Sequence, residues 1–267
     1  MLAPLKRWRR RRITRRPFPP QWRAIVQRGI PLAAALPSAE RSELEDLIKV
    51  FLAEKNFEGC AGLQLTDEIR ITIATQACLL VLKRPDLDLY PRLGAILVYP
   101  KAYVATHAAP LFGPPGMIVH EGPQHRAGES WHSTTGWGAF AGGPVVLSWD
   151  DARRGAFDPA DGRNLVFHEF AHQLDSMDGS MNGAPLLPER SMYPQWASVM
   201  SREFNQLRHD AVRSIPTLID TYGATNPAEF FAVVTECYFE RPGELSARHP
   251  ELYGLLRQCY GWSPAEL

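Results

Sequence analysis

The segment Asn164-Leu165-Val166-Phe167-His168-Glu169-Phe170-Ala171-His172-Gln173-Leu174-Asp175 constrains this chain more than any other. Leu165, Val166, Phe167, Phe170, Ala171 and Leu174 make the helix it encodes apolar on every side, so that helix belongs in the interior. Three ionisable groups ride on it, and a buried charge is costly unless it is paired or bound to a metal. At roughly 100° per residue, His168 and His172 lie about 40° apart and one turn removed, so both imidazoles can converge on one Zn²⁺. Glu169 projects roughly 60° from His172, beside such an ion rather than on it. From there a carboxylate can take a proton from water activated by the metal.

A zinc enzyme of this kind needs a third protein ligand. The metzincin extension would require Gly at 175 and His at 178, but Asp175 and Asp178 stand there. Asp178 after a turn is one candidate. Glu229, in the second apolar segment Pro227–Glu240, is another, although Asn226 as N-cap and Pro227 at the first helical position put Glu229 where a capping-box acid would sit. Spacing leaves ligand and cap equally open. Glu236, two turns later on the same face, either supports the site or is a solvated acid; Asp175 either orients a ligand imidazole or is solvated near the helix end. His120-Glu121 is followed by Gly122-Pro123, which breaks the helix that a ligand pair would need.

Around these segments the chain reads as α+β. Helical spacing or capping signals predict helices from Ser38, over 66–82, 163–176, 193–209, 227–240 and near 250–260. Short β-branched runs at 93–100 and 144–149 predict strands. Residues 113–143, rich in Gly, Pro and aromatic side chains, are expected to be strands joined by functional loops. Strands in the middle of the chain with helices around them suggest a small mixed sheet rather than an alternating parallel fold. Residues 1–16 hold eight Lys or Arg and no acid, followed by three prolines within 17–20, so residues 1–20 are expected to be a flexible Arg-rich tail. Residues 21–110, helical with the first strand, and 111–267, bearing the metal motif, are expected to form one compact unit.

Charge and cysteine usage exclude several functions. Without residues 1–16, the body carries 21 bases against 29 acids, which disfavours a specific nucleic-acid partner. The most apolar stretch, 69–82, is interrupted by Arg70, Thr72, Thr75 and Gln76 and falls short of a membrane span. No apolar run follows the basic stretch to make an export signal. Cys60, Cys78, Cys237 and Cys259 are scattered, as in a reducing compartment, and a cytoplasmic location is expected.

From Trp22 to the C-terminus the chain resembles the Mlc titration factor A family of zinc peptidases, whose catalytic region resembles that of anthrax lethal factor. The resemblance is carried in order by Ile96-Leu97-Val98-Tyr99-Pro100, Gly128-Glu129-Ser130-Trp131, Gly143-Pro144-Val145-Val146-Leu147-Ser148-Trp149, the His168–His172 motif, and Tyr222 through Asn226-Pro227-Ala228-Glu229 to Glu236. It implies a zincin-like fold and a gluzincin-like site with one Zn²⁺ per chain, bound by His168, His172 and Glu229. Glu169 is then the general base, and Tyr222 faces the site, where a phenol can donate to an oxyanion. The implied activity is aminopeptidase-type hydrolysis of peptides. The implied partners are a peptide substrate and a sugar-responsive transcriptional repressor. The Arg-rich tail and the Gly-rich stretch at 134–142 depart from the family pattern.

Overall fold

The structure, a computed structural model, describes residues 2–101, 103–104, 118–119, 143–158 and 161–267. At its centre lies helix α5 (Asp67–Leu79). Thr66 starts it by accepting from the Ile69 amide, at 3.3 Å, and Asp67 and Glu68 complement the dipole of its first turn. From Ile69 to Leu79 only Arg70 escapes burial, and the helix is enclosed by α2 (Pro20–Gly29), α4 (Ser38–Glu54), α6 (Trp149–Phe157) and α7 (Leu165–Asp175). An apolar helix with no polar face is stable only when surrounded in this way.

Three short strands make the main sheet in the order β1 (Phe57–Gly59), β2 (Ile96–Tyr99), β5 (Val145–Ser148). Both pairings are parallel, with Ile96 opposite Phe57 and Val145, and Val98 opposite Gly59 and Leu147. Parallel neighbours need a crossover connection, and α5 supplies it between β1 and β2. The sheet is therefore parallel where a mixed one is expected; antiparallel pairing occurs separately, between β3 (Tyr103–Val104) and β4 (Ile118–Val119). Apart from β4, the expectations for residues 113–143, including His120-Glu121 and Gly128–Trp131, lie outside the described residues.

Ser148 ends β5 and caps α6 by accepting from the Asp151 amide. The chain then enters α7, which packs on β5, α5 and α9 (Pro227–Glu240). In α9 every residue from Ala228 to Glu240 is buried, and Phe239 meets Phe167 of α7 with ring centroids 4.9 Å apart. The amphipathic α8 (Tyr193–Val212) packs on α9 through Trp196 against Phe231 and Phe204 against Phe230, and α10 (Pro242–Arg248) and α11 (Pro250–Tyr260) complete the C-terminal shell. No helix among the described residues is long and apolar enough to cross a membrane.

The expectation of a flexible tail over residues 1–20 is corrected by the structure. Leu2–Thr14 form helix α1, which packs against α4. Arg10 makes paired bonds of 2.8 and 2.6 Å to Glu54 and a third of 2.6 Å to Asp88, and Lys6 reaches Asp88 at 2.5 Å. Lys49 donates to the carbonyls of Thr14 and Arg16, closing the C-terminal end of α1, while Phe18 is buried in the core. Acids distant in sequence offset the repulsion that composition suggests. Helices α2 and α3 (Pro31–Ala35) fall in the stretch expected to be helical, whereas α6 and α10 have no counterpart among the expected helices.

Candidate metal centre

Asn164 interrupts the approach to α7 and caps it, its side-chain oxygen accepting from the Phe167 amide at 3.0 Å. The capped helix points His168 and His172 toward α9, which presents Glu229 in its first turn. Asn226 does cap α9, accepting from the Glu229 amide at 3.0 Å, so the capping signal is real. The Glu229 carboxylate nevertheless turns to the imidazoles. Its Oε2 lies 3.1 Å from His168 Nε2 and 3.3 Å from His172 Nε2, and the two Nε2 atoms are 3.2 Å apart. Asp178, the alternative third ligand, is exposed in the turn after α7 and accepts from the amide and hydroxyl of Ser180.

A tetrahedral ion with bonds of about 2.0–2.1 Å to nitrogen and oxygen separates its donors by roughly 3.3–3.4 Å. The triangle of 3.1, 3.2 and 3.3 Å has nearly that size, so His168, His172 and Glu229 could hold such an ion. Two imidazole nitrogens facing each other at 3.2 Å with a carboxylate beside them suit a shared cation, which satisfies all three lone pairs at once.

The carboxylates make this cluster favour positive charge. Burial is the largest single influence on His168 and opposes its charge, but Glu229 and Glu236 outweigh it and hold the imidazole well above its usual range. Burial likewise pushes Glu229 up, yet the two histidines hold its carboxyl far below the normal value. Glu169 is 5 % exposed, and burial raises its carboxyl despite the pull of His168 and His172. Tyr222 sits in the turn before α9, its ring centroid 5.9 Å from that of His168; burial, then Glu229, Glu169 and Glu236, raise its phenol.

Behind the donors lies a second layer of bonds. Glu236 is buried and accepts from His168 Nδ1 at 2.7 Å and from the Asn164 amide at 2.6 Å, which excludes the solvated reading. Asn164 donates through Nδ2 to the Gly155 carbonyl at 3.0 Å and to Glu240 at 2.9 Å. A Cβ on Gly155 would approach Asn164 to 3.0 Å, so the small residue permits this close passage of α6. Asp175 is fully buried and accepts from the amides of Gly183 and Ala184 at 2.8 and 2.9 Å, tying down the loop after α7. Gly183 has φ of 77°, and a Cβ there would meet the Pro227 carbonyl oxygen at 2.3 Å.

Sequence reasoning assigned no role to Asn164, Gly183 or Glu240. An Asn immediately before an apolar helical run was the available signal for the first; Gly183 and Glu240 offered none.

Comparison with known proteins decides the family. The profile of the glucose-regulated metallo-peptidase M90 family matches residues 5–261. The chain belongs to that family. An uncharacterized protein of Synechocystis is 44 % identical over 257 residues, covering 96 % of this chain and 89 % of that protein. Mlc titration factor A of Klebsiella pneumoniae is 32 % identical over 239 residues, 88 % of this chain and 84 % of its own length. The Escherichia fergusonii protein of the same name is 31 % identical, covering 92 % and 87 %. The resemblance to the Mlc titration factor A family thus holds, and the family match begins inside α1, so the basic helix falls within the family's extent.

Proposed function

We propose that the chain is a cytoplasmic, zinc-dependent peptidase with a zincin-like fold and a gluzincin-like site, one ion per chain, held by His168, His172 and Glu229. The observation that carries this reading is the near-equilateral donor triangle, 3.1–3.3 Å on a side, with the buried Glu169 on the same helix. When bound, Zn²⁺ would polarise the scissile carbonyl and acidify water. Glu169, with its carboxyl raised by burial, accepts the proton of the attacking water and returns it to the leaving amine. Tyr222, whose phenol stays protonated, donates to the developing oxyanion. Glu236 fixes the His168 ring through Nδ1, leaving Nε2 for ligation.

Strand β5 is an edge of the main sheet among the described residues and packs on α7, so an extended peptide can pair with it by backbone bonds. Family membership favours short peptides cleaved in aminopeptidase fashion. The test is hydrolysis of aminoacyl and internal-peptide reporter substrates by the chain and its Glu169→Gln variant. The variant should retain metal and fold but lose about 10²–10⁴-fold in rate; unchanged turnover would reject the mechanism.

A second reading rests on the name of the Klebsiella and Escherichia relatives, which speaks of titrating Mlc. By that reading this chain also binds a transcriptional repressor, with peptide hydrolysis incidental. Repressor capture that survives Glu169→Gln while hydrolysis is lost would separate binding from catalysis.

A further inference from the structure

Helix α1 uses one face to hold the body and leaves the other face unused. Lys6 and Arg10 are committed to Asp88 and Glu54, and Ile13 packs against the core. Leu5, Trp8 and Arg12, spaced three and four residues apart, form one stripe on the outside. Leu5 is 63 % and Trp8 60 % exposed, and the Arg12 guanidinium lies over the indole, 5.9 Å from its centroid. Arg7, Arg9, Arg11, Arg12, Arg15 and Arg16 are all exposed and have no acidic partner among the described residues; Arg9 reaches only the Ala53 carbonyl.

We propose that α1 docks the protein peripherally on an anionic lipid bilayer, lying in the headgroup plane with Leu5 and Trp8 inserted and the arginines on lipid phosphates and carboxylates. Charge complementarity favours this occupant, because the rest of the chain has an excess of acids and would be repelled from the same surface. That imbalance orients the molecule with α1 toward the lipid. A nucleic acid would also attract the arginines, but an outward Leu beside a Trp suits the boundary between headgroups and acyl chains, where amphipathic aromatic rings settle. Two apolar side chains make a shallow anchor, so binding should be reversible and salt-sensitive. Each arginine near an anionic surface contributes roughly a fivefold gain in partitioning. This proposal is independent of the peptidase reading.

The test is flotation of the full-length protein with vesicles of phosphatidylcholine alone or mixed with phosphatidylserine, at low and high salt, beside anisotropy measurements on duplex DNA and single-stranded RNA. The protein should float only with phosphatidylserine and at low salt. Leu5→Ala with Trp8→Ala should weaken flotation on the order of tenfold, and Arg11→Glu with Arg12→Glu at least as much. In vesicles with brominated acyl chains, the quenching of wild-type tryptophan fluorescence should fall in Trp8→Phe, a check that holds even if the double variants lose stability. Absence of flotation at low salt would overturn the proposal, as would quenching unchanged in Trp8→Phe. So would duplex DNA or RNA binding tighter than vesicle binding and indifferent to Leu5 and Trp8.

Discussion

Glu236 offers a sharp test of how the site is held, because its carboxylate serves two donors at once. The Asn164 amide can only donate, and the His168 ring donates through Nδ1 when Nε2 is turned to a metal. In Glu236→Gln the side-chain oxygen can serve one of them, and the new amide faces the other, leaving a buried donor against a donor. Losing one charge-assisted bond in a buried site costs about 1.5–3 kcal/mol. For a chain of this size that is a fall of about 3–12 °C in melting temperature. Released from its orienting partner, His168 should bind metal about 10–100-fold more weakly. Competition against a chelating dye reads the metal affinity, and calorimetry reads the midpoint of the metal-free protein. At saturating metal the rate should largely recover, since Glu236 acts through the ring rather than on substrate. Metal affinity equal to that of the parent chain would refute this role, even if the melting temperature fell.

Other consequences follow from groups further out. Burial raises the Glu240 carboxyl to about 9; the hydrogen bond from Asn164, the next influence in size, opposes it, and Asp161, Glu236 and Asp158 add smaller upward pushes. The folded chain then holds one proton more than the unfolded chain between the ordinary carboxylate range and about 9, so stability declines as pH rises through that window, by at most about 1.4 kcal/mol per pH unit. Glu240→Gln should abolish that decline and gain in relative stability toward alkaline pH; denaturant midpoints running parallel to those of the parent chain would contradict the assignment. Arg10→Ala removes the partly buried fork to Glu54 and the bond to Asp88. It should cost about 1–2 kcal/mol, and an unchanged melting temperature would restore the view of residues 1–20 as a dispensable tail.

Helices α7 and α9 were legible because their signals are local: Asn164 before an apolar run, and Asn226-Pro227 before another. The two histidines one turn apart needed only helical geometry. The choice between Asp178 and Glu229 was not local, since it depends on α9 packing across α7. Glu236 was visible on the same face as Glu229, but its task is set by where His168 Nδ1 points. Helix α1 was misread because its counter-charges, Glu54 and Asp88, lie 44 and 78 residues from Arg10, beyond any compositional window. The parallel order of the sheet is likewise a matter of long-range register, which short strands of three and four residues do not encode by themselves.

His168, His172 and Glu229 are proposed to form one zinc site with Glu169 beside it. Elemental analysis of the purified chain and its His172→Ala, Glu229→Ala and Glu169→Gln variants, each confirmed folded by circular dichroism, tests it most directly. One zinc per chain is expected in the parent and in Glu169→Gln, and a loss of stoichiometric zinc in the other two. Stoichiometric zinc retained in both His172→Ala and Glu229→Ala would contradict it.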